Sequence, residues 1–307
     1  MDFMMDQISQ AFEAVQFELP KIKYKLAEPM KFHTSFGIGG PVRVMFFPDK
    51  PTALTDLCRV LFKNGVTPLV IGNGTNLLVN DRALELAVIN TGGLDGRERT
   101  GETEITACAG ALMSRLAVFA SECGMAGLEF AHGIPGTLGG AVYMNAGAYG
   151  SEMKDVVHST TFYRPNAGVF SITGEDHGYS FRHSRFADSG EIIVSSVIRL
   201  QKGDTGSIRA RMGELNARRS ESQPLDVPSA GSTFKRPKVG FAGSLIEQAG
   251  LRGYLYGGAQ VSEKHAGFIV NRGGATFAEV MAVIEHVQET VFKKFGVELE
   301  LEIGVVK

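Results

Sequence analysis

The sequence has few cysteines, almost no net charge and no long apolar run. Its three cysteines show no C-x-x-C spacing in 307 residues, which is typical of a reducing compartment and not of a disulfide-stabilised fold. The formal net charge is -2, so the overall charge does not favour nucleic-acid binding. No apolar run approaches the roughly 18–20 residues of a membrane-spanning helix, and the acidic first residues do not form a secretory signal. We therefore expect a cytoplasmic protein that binds neither nucleic acid nor a membrane.

Several catalytic signatures are also missing. No lysine followed by serine or threonine completes a P-loop after the glycine-rich turn at 70–79, and the third glycine of a G-x-G-x-x-G fingerprint is missing there. The histidines show no spacing typical of a metal site, and no Ser-His-Asp order or nucleophile elbow is visible. These absences argue against a P-loop enzyme, a metal centre and a serine hydrolase, and we expect no bound metal.

Glycine, in contrast, is abundant. It accounts for 38 of 307 residues, well above the usual ~7%, and it clusters in loops. The segment GIPGTLGGAVYMNAGAYG (133–150) contains six glycines and no charged residue. We expect it to be neither an ordinary helix nor a strand, because its bare backbone suits close contact with a planar ring or a diphosphate. A packed loop of small residues at a domain junction is the alternative.

A second glycine-rich segment is VIGNGTNLLV (70–79), in which a predicted strand enters a tight turn. Successive backbone N–H groups in such a turn can form an anion-binding nest, although a plain strand–loop–strand turn is the alternative. Two uncharged glycine-rich segments together favour a ligand with its own negative charge and a large apolar body, such as a dinucleotide.

The hydrophobic periodicity predicts an α+β protein of two parts, with a boundary between 203 and 204. An amphipathic helix and an irregular lead-in are expected within residues 1–30. Further helices are predicted at 52–65, 113–124, 205–222 and 278–296. Strands are predicted at 42–48, 67–74, 86–94, 104–112, 158–163, 168–172, 191–200 and 297–306.

Three charged segments are further candidates for a site. YSFRHSRF (179–186) carries two arginines among aromatics, which alone could be surface residues. SAGSTFKRP (229–237) combines Ser232 with two cations, which suits an anion but also an ordinary polar loop. LELEI (299–303) would place alternate acids on one face of a strand, where a solvated edge is the simpler explanation.

Eight segments in a fixed order resemble the UDP-N-acetylenolpyruvoylglucosamine reductase family, from about residue 30 to the end of the chain. They are TSFGIGGP (34–41), IGNGTNLLV (71–79), GLEFAHGIPGTLGGAVYMNAGAYG (127–150), FRHSRF (181–186), GSTFKRP (231–237), AGSLIEQAGLRG (242–253), VSEKHAGFIVN (261–271) and LELEI (299–303).

The resemblance implies a fold with a two-part FAD-binding region of the vanillyl-alcohol-oxidase (PCMH) type at 1–203, its core at about 36–203. A smaller α/β substrate domain would follow at 204–307. It implies non-covalent FAD that NADPH reduces and that then reduces the enolpyruvyl ether of UDP-N-acetylglucosamine to UDP-N-acetylmuramate. This reaction belongs to peptidoglycan synthesis. We expect a monomer whose partner is this small-molecule substrate.

The resemblance also assigns residues. The implied catalytic residues are Arg182, Ser232 and Glu302, with Arg182 facing the substrate carboxylate and Ser232 protonating the carbanion. Glu302 would act as an acid or help to hold the charged array. The implied substrate contacts are Lys235, Arg236 and His265, of which Lys235 would contact NADPH or substrate phosphates. The implied cofactor contacts are Gly72, Asn73, Gly74, Thr75, Asn76, Leu77, Ile134, Pro135, Gly136, Gly139, Gly140, Asn145, Ala146 and Gly147.

The chain departs from the family pattern at four points. Phe181 stands where a tyrosine is common, Arg236 replaces an asparagine, and LELEI lacks the proline of the common LEPEV. Arg182 and Ser232 are too close in sequence for the substrate-covering loop of one branch, so the chain resembles the branch that lacks it.

Two other functions remain open at this point. Another FAD-dependent oxidase or dehydrogenase of the same fold would explain the glycine-rich segments but not the contexts of Arg182, Ser232 and Glu302. A flavin- or nucleotide-binding module without catalysis would leave the same three residues unexplained. Flavin colour and the substrate that reoxidises the flavin would separate the three possibilities.

Overall fold

Helices are interspersed with runs of strands along the chain in the computed structural model, which describes residues 6–307. Within this range the helices are α1 (Gln7–Glu18), α2 (Pro51–Lys63), α3 (Met113–Glu122), α4 (Leu138–Tyr143), α5 (Phe186–Ser189), α6 (Thr205–Ser222), α7 (Ala242–Gln248) and α8 (Phe277–Phe295). The α+β class predicted from the periodicity therefore agrees with the structure.

Most of the described strands are short. They are β1 (Lys23–Pro29), β2 (Pro41–Phe47), β3 (Leu69–Ile71), β4 (Leu77–Val79), β5 (Leu84–Asn90), β6 (Arg97–Arg99), β7 (Glu104–Cys108), β8 (Met125–Ala126), β9 (Gly147–Ala148), β10 (Ser151–Glu152), β11 (Val157–Arg164), β12 (Gly168–Thr173), β13 (Ile192–Arg199), β14 (Gln201–Lys202), β15 (Ser229–Ser232), β16 (Leu255–Tyr256), β17 (Ala259–Val261), β18 (Phe268–Asn271) and β19 (Gly304–Val306).

The chain forms two compact units that interleave in sequence. The first unit contains the described residues up to Ala27, together with Arg43–Asn73 and Glu85–Ala217. The second contains Glu28–Val42, Gly74–Leu84 and Arg218–Lys307. The domain boundary predicted between 203 and 204 stays a prediction. Each compact unit is made of several segments that alternate along the chain, so the units do not test one boundary position.

The first unit is built on a five-stranded antiparallel sheet in the order β12-β11-β13-β7-β6. Successive side chains of a strand point to opposite faces, and both faces of this sheet are buried. Ile193 packs into one core with α3 and α4, whereas Ile192 and Val194 pack into a second core with α1 and α2. This explains the three consecutive apolar residues at 192–194 of this strand.

The second unit packs α8 against an antiparallel sheet in the order β15-β18-β17-β16. The apolar stripe predicted on this helix is buried in the core of the unit. Thr276 and Glu279 form a capping box at its start, and Gly296 ends it in the left-handed conformation. The stripe is therefore structural, as the sequence predicts.

The glycine-rich segment 133–150 contains a short helix, α4, which corrects the expectation that it forms neither helix nor strand. The helix contains Gly139 and Gly140. A Cβ on Gly139 would lie 3.0 Å from the Cβ of Ala109, so glycine lets α4 approach the end of β7 closely. At Gly139 a close approach to Ala109 thus takes the place of a side chain, whereas Leu138, Ala141 and Val142 pack into the core.

Two terminal predictions were also wrong in part. The lead-in within 1–30 contains the strand β1 after α1, and the first five residues lie outside the described range. The predicted strand 297–306 is reduced to β19, preceded by an isolated bridge between Phe234 and Leu301. The predicted alternation of buried and exposed side chains is nevertheless present, because Leu299 and Ile303 are buried whereas Glu298 and Glu300 are exposed.

Candidate functional site

The turn at Gly72–Asn76 follows β3 directly, as predicted. A Cβ on Gly72 would lie 2.0 Å from Thr137 Oγ1, so only glycine fits there. Gly74 has a φ of +58°, and a Cβ there would lie 1.9 Å from the carbonyl oxygen of His33. Close packing against protein atoms therefore requires both glycines, in addition to any ligand contact.

Within the first unit, this turn contacts the other predicted cofactor segment. Asn73 Nδ2 donates a hydrogen bond of 2.7 Å to the carbonyl of Pro135, and Gly72 packs on Thr137. The two glycine-rich segments that the sequence assigns to FAD are therefore neighbours. Gly140 is exposed, and a Cβ built on it would approach nothing closer than Thr137 Oγ1 at 3.9 Å.

These features fit a large cofactor that is held through backbone. The hydroxyl of Thr137 is buried without a hydrogen-bond partner in the described part of the chain. The neighbouring segment 134–136 is partly exposed and carries no charged side chain. An uncharged, glycine-rich surface lets a ring system approach the peptide groups, which is the donor set that FAD would need here.

The side chain of Asn145 makes hydrogen bonds within the protein, which use both of its amide donors. It is fully buried, and its Nδ2 donates to Glu152 Oε2 at 3.0 Å and to the carbonyl of Ser180 at 2.9 Å. Its Oδ1 accepts from the backbone N–H of Lys154 at 3.0 Å. With both amide donors used, a cofactor contact at Asn145–Gly147 would have to come from the backbone.

Arg182 lies in a strained turn of the first unit. Ser180 and His183 form a bridge through two backbone hydrogen bonds, which leaves Phe181 and Arg182 as the central residues. Arg182 has a φ of 56°, a conformation that glycine or asparagine normally supplies at this position. Its Nη2 donates to the carbonyl of Gly147 at 3.2 Å, and its guanidinium lies 5.3 Å from the centre of the Phe181 ring.

Glu152 adds a carboxylate to the surroundings of Arg182. Lys154 Nζ lies 2.9 Å from Glu152 Oε2. Burial acts to raise the pKa of Glu152, but hydrogen bonds from Lys154 and Asn145 and the positive charge of Arg182 outweigh it and hold this pKa below its usual range. Glu152 is therefore an anion at neutral pH, and the sequence prediction did not include it.

Arg185, the second arginine of the FRHSRF segment, has a different role. Its guanidinium lies 3.2 Å from the buried carboxylate of Glu191, which Arg164 also contacts at 2.8 Å. Buried carboxylates need such partners, because an uncompensated charge is costly inside a protein. Arg185 thus stabilises the first unit.

Ser232 ends β15 in the second unit. The pairing of β15 with β18 is irregular between Ser229 and Ser232, where Gly231 adopts a φ of +80°. Ser232 is partly exposed, and its hydroxyl has no hydrogen-bond partner among residues 6–307. A partly exposed hydroxyl at the end of an irregular strand is compatible with the predicted role as a proton donor.

The second unit aligns the segment that follows Ser232 with the segment that contains Glu302 through backbone hydrogen bonds. The N–H of Glu302 donates to the carbonyl of Thr233 at 2.9 Å, and the N–H of Lys235 donates to the carbonyl of Glu300 at 2.8 Å. Asn76 Nδ2 donates to the carbonyl of Glu302 at 3.0 Å. A predicted cofactor residue and two predicted catalytic residues are therefore held on adjoining segments of one unit.

The predicted substrate contacts differ in their surroundings. Lys235 Nζ lies 3.4 Å from Glu300 Oε2, and the exposed Arg236 lies over the Phe241 ring at 4.3 Å. His265 accepts a hydrogen bond at Nδ1 from the N–H of Gly267, whose carbonyl accepts from Thr233. Burial lowers the pKa of His265, so its ring is neutral at neutral pH.

Two absences in the described chain bear on function. No group of three or more His, Cys, Asp or Glu side chains within residues 6–307 could hold a metal ion. No described helix is long and apolar enough to cross a membrane.

Two family models match the sequence. The model described as "FAD binding domain" matches residues 42–173, which include every predicted cofactor contact. The model described as "UDP-N-acetylenolpyruvoylglucosamine reductase, C-terminal domain" matches residues 223–306, which include Ser232 and Glu302. The predicted FAD cofactor is thereby confirmed, whereas Arg182 lies between the two matches and its role stays a prediction.

Curated relatives and a solved structure agree with these matches. The UDP-N-acetylenolpyruvoylglucosamine reductase of Caldanaerobacter subterraneus subsp. tengcongensis is 48% identical over 92% of this chain and 94% of its own. That of Pediococcus pentosaceus is 43% identical over 99% of both chains. The crystal structure of the Thermus caldophilus reductase superposes with a TM-score of 0.80 at 31% identity, covering 94% of this chain and 99% of its own.

Proposed function

Because this chain belongs to the UDP-N-acetylenolpyruvoylglucosamine reductase family, we propose that it reduces UDP-N-acetylglucosamine enolpyruvate to UDP-N-acetylmuramate for peptidoglycan synthesis. It is an FAD-dependent oxidoreductase, and we assign NADPH as the hydride donor. When bound, FAD would supply the hydride carrier between NADPH and the enolpyruvyl group. The residues proposed to hold it lie in the glycine-rich segments, at positions 72–77, 134–136, 139–140 and 145–147.

Arg182 is proposed to bind the carboxylate of the enolpyruvyl group. Reduction at the methylene carbon leaves negative charge on the adjacent carbon, which carries this carboxylate. A guanidinium offers two parallel donors that match a carboxylate, and a fixed cation stabilises the charge as it develops. The strained turn supports this role, since strained residues persist where the surrounding structure holds them for a function.

Ser232 is proposed to donate the proton that completes the reaction. Its Oγ–H bond breaks, the proton joins the carbon next to the carboxylate, and the resulting alkoxide regains a proton from solvent. A hydroxyl is a weak acid, so its anion needs stabilisation by nearby cations or acids. Lys235 lies three residues along the same segment, and Glu302 lies on the adjoining one.

The observation that carries the proposal is the backbone alignment of 233–235 with 300–302 in the second unit. This alignment holds Ser232 beside the segment of Glu302, which the family resemblance implies to be catalytic. Ser232 is partly exposed, and its hydroxyl has no hydrogen-bond partner within residues 6–307. Lys235, Arg236 and His265 are proposed to contact the phosphates and the sugar of the substrate or of NADPH.

Two half-reactions test the proposal. We expect the yellow holoenzyme to bleach when mixed with NADPH without oxygen, and to regain its colour when the enolpyruvyl sugar nucleotide is added. An oxidase or dehydrogenase of the same fold is the second candidate. Rapid reoxidation by oxygen, together with no response to the sugar nucleotide, would favour that candidate and overturn the proposal.

We also propose a cytoplasmic monomer of the branch without the additional substrate-covering loop, and a contribution to cell shape and division through the cell wall. The three cysteines, none of which forms a disulfide, support the reducing compartment. Size-exclusion chromatography with light scattering tests the oligomeric state.

A further inference from the structure

Three residues of the first unit surround the Arg182 turn without being assigned to cofactor or substrate through their side chains. We call Asn145, Glu152 and Lys154 the support cluster. Glu152 Oε2 is its centre, because Asn145 Nδ2 donates to it at 3.0 Å and Lys154 Nζ at 2.9 Å. The backbone N–H of Lys154 in turn donates to Asn145 Oδ1.

The support cluster is connected to the Arg182 turn at two points, the first residue of the turn and the guanidinium of Arg182. Asn145 Nδ2 also donates to the carbonyl of Ser180, the first residue of the turn. The guanidinium of Arg182 donates to the carbonyl of Gly147, and Gly147 pairs with Glu152 between β9 and β10. Glu152 is therefore linked to Ser180 through Asn145. It is also linked to Gly147, the residue whose carbonyl accepts from Arg182, through the pairing of β10 with β9.

Backbone strain is concentrated in the same place. Among residues 6–307, Ala27, Asn145, Tyr149, Asn166 and Arg182 are the non-glycine residues with positive φ. Asn145, Tyr149 and Arg182 belong to these connected segments, and Tyr149 is anchored by a hydrogen bond from its hydroxyl to the carbonyl of Leu215. Strained conformations persist only where neighbours fix them, and the hydrogen bonds of Asn145 and Glu152 provide this restraint.

The charges of Glu152 and its neighbours also support a connection between the support cluster and Arg182. Glu152 is an anion with Lys154 beside it and Arg182 close enough to act on its carboxyl electrostatically. Without the carboxylate, the guanidinium of Arg182 would lose an electrostatic attraction that helps to fix its orientation.

We propose that Glu152 is a positioning residue that holds the Arg182 turn and guanidinium in the orientation that receives the substrate carboxylate. This inference rests on the proposed function, because it assigns Arg182 to the second half-reaction. Glu152 acts through Arg182 and does not touch the reacting atoms.

The test is Glu152→Gln in the holoenzyme, since glutamine keeps the acceptor for Asn145 and removes the charge. We expect flavin reduction by NADPH to stay within about twofold of the wild-type rate, and reoxidation by the enolpyruvyl sugar nucleotide to slow about tenfold. Glu152→Asp, which keeps the charge, should recover part of this loss. Glu122→Gln, an exposed glutamate at the end of α3, is the matched control and should leave both rates unchanged.

A double-mutant comparison separates positioning from a general structural effect. If Glu152 acts through Arg182, adding Glu152→Gln to Arg182→Lys should slow reoxidation less than twofold further. Full additivity, equal loss in both half-reactions or a wild-type rate of Glu152→Gln would overturn the role of Glu152. A wild-type enzyme that the sugar nucleotide cannot reoxidise would instead overturn the proposed function.

Discussion

At the scale of single residues, the hydroxyl of Ser232 gives the sharpest test of the chemistry. Ser232→Ala removes one oxygen at the end of β15, where the hydroxyl has no partner within residues 6–307, so the fold should not change. We expect NADPH to reduce the flavin at nearly the wild-type rate, and reoxidation by the sugar nucleotide to fall at least ~100-fold, as the loss of an acid typically does. Rapid-mixing absorbance measurements follow both steps.

The control for Ser232 is Ser244→Ala, which alters an exposed serine of α7. Both half-reactions should be unchanged in this variant. Equal slowing of both half-reactions in Ser232→Ala would mean that Ser232 is not the proton donor.

The strain at Arg182 can be measured separately from its chemistry. Both Arg182→Gly and Arg182→Ala remove the guanidinium, but only glycine adopts a φ of 56° without cost. We expect the glycine variant to exceed the alanine variant in free energy of unfolding by about 1 kcal/mol, measured by urea denaturation. Equal stabilities would show that the turn relaxes once arginine is removed.

Sequence could identify Arg182, Ser232 and Glu302 as candidates only through the segments around them. It could not show the conformation of Arg182 or the bonding of Asn145, because both depend on residues distant in the chain. The family resemblance implies a cofactor contact at Asn145, whereas the fold uses both of its amide donors for Glu152 and Ser180.

At the scale of elements, helices with a clear apolar stripe were predictable to within a residue or two. Local signals define them, such as Gly65 after α2 and Gly296 after α8, both in the left-handed conformation. The short helix α4 was missed, because Gly139 is explained only by the close approach of Ala109, which is distant in sequence. The terminal strand was overextended, because its alternating burial continues where regular pairing does not.

Adjacent glycines of α4 should respond differently to the same substitution. Gly139→Ala would place a Cβ 3.0 Å from the Cβ of Ala109, so we expect the apoprotein to lose about 1–3 kcal/mol of stability. Gly140→Ala meets open space and improves helix propensity, so the apoprotein should gain up to about 1 kcal/mol.

If the exposed face at Gly140 holds the cofactor, Gly140→Ala should nevertheless weaken FAD binding. Titration of the apoprotein with FAD, followed by flavin fluorescence, measures this effect beside the unfolding data. A stabilised variant with unchanged FAD affinity would remove Gly140 from the cofactor contacts.

At the scale of the whole molecule, sequence indicated the α+β class and the order of a FAD-binding region and a C-terminal domain, which the two family models confirm. It could not indicate that the compact units interleave. Residues 28–42 and 74–84 belong with the C-terminal segment, in part because β4 pairs with β19 across more than two hundred residues. Such pairing leaves no local signal in either strand.

Each unit also contains a histidine, buried in the first unit and half-buried in the second, whose titration should govern stability in mildly acidic solution. His177 in the first unit is fully buried, and its Nδ1 must donate to the carbonyl of Gly174 at 2.9 Å. Its Nε2 lies 2.9 Å from the hydroxyl of Thr160, which therefore donates to the neutral ring. Burial lowers the pKa of both His177 and His265 from the ordinary value near 6.5.

The unfolded chain therefore binds protons near pH 6.5 that the folded chain does not accept. The contribution of these two neutral histidines to the free energy of unfolding should be fully present above this pH. It should decrease as the pH drops below it, because unfolding then takes up protons. Glu152 and Glu279 have lowered pKa values and lose their contribution only below about pH 4.5, outside this window. We expect the urea midpoint of the holoenzyme to decrease from pH 7.5 to 5.5, and to decrease less in His177→Gln. A midpoint that stays constant over this range, or an unchanged slope in the variant, would contradict the assignment.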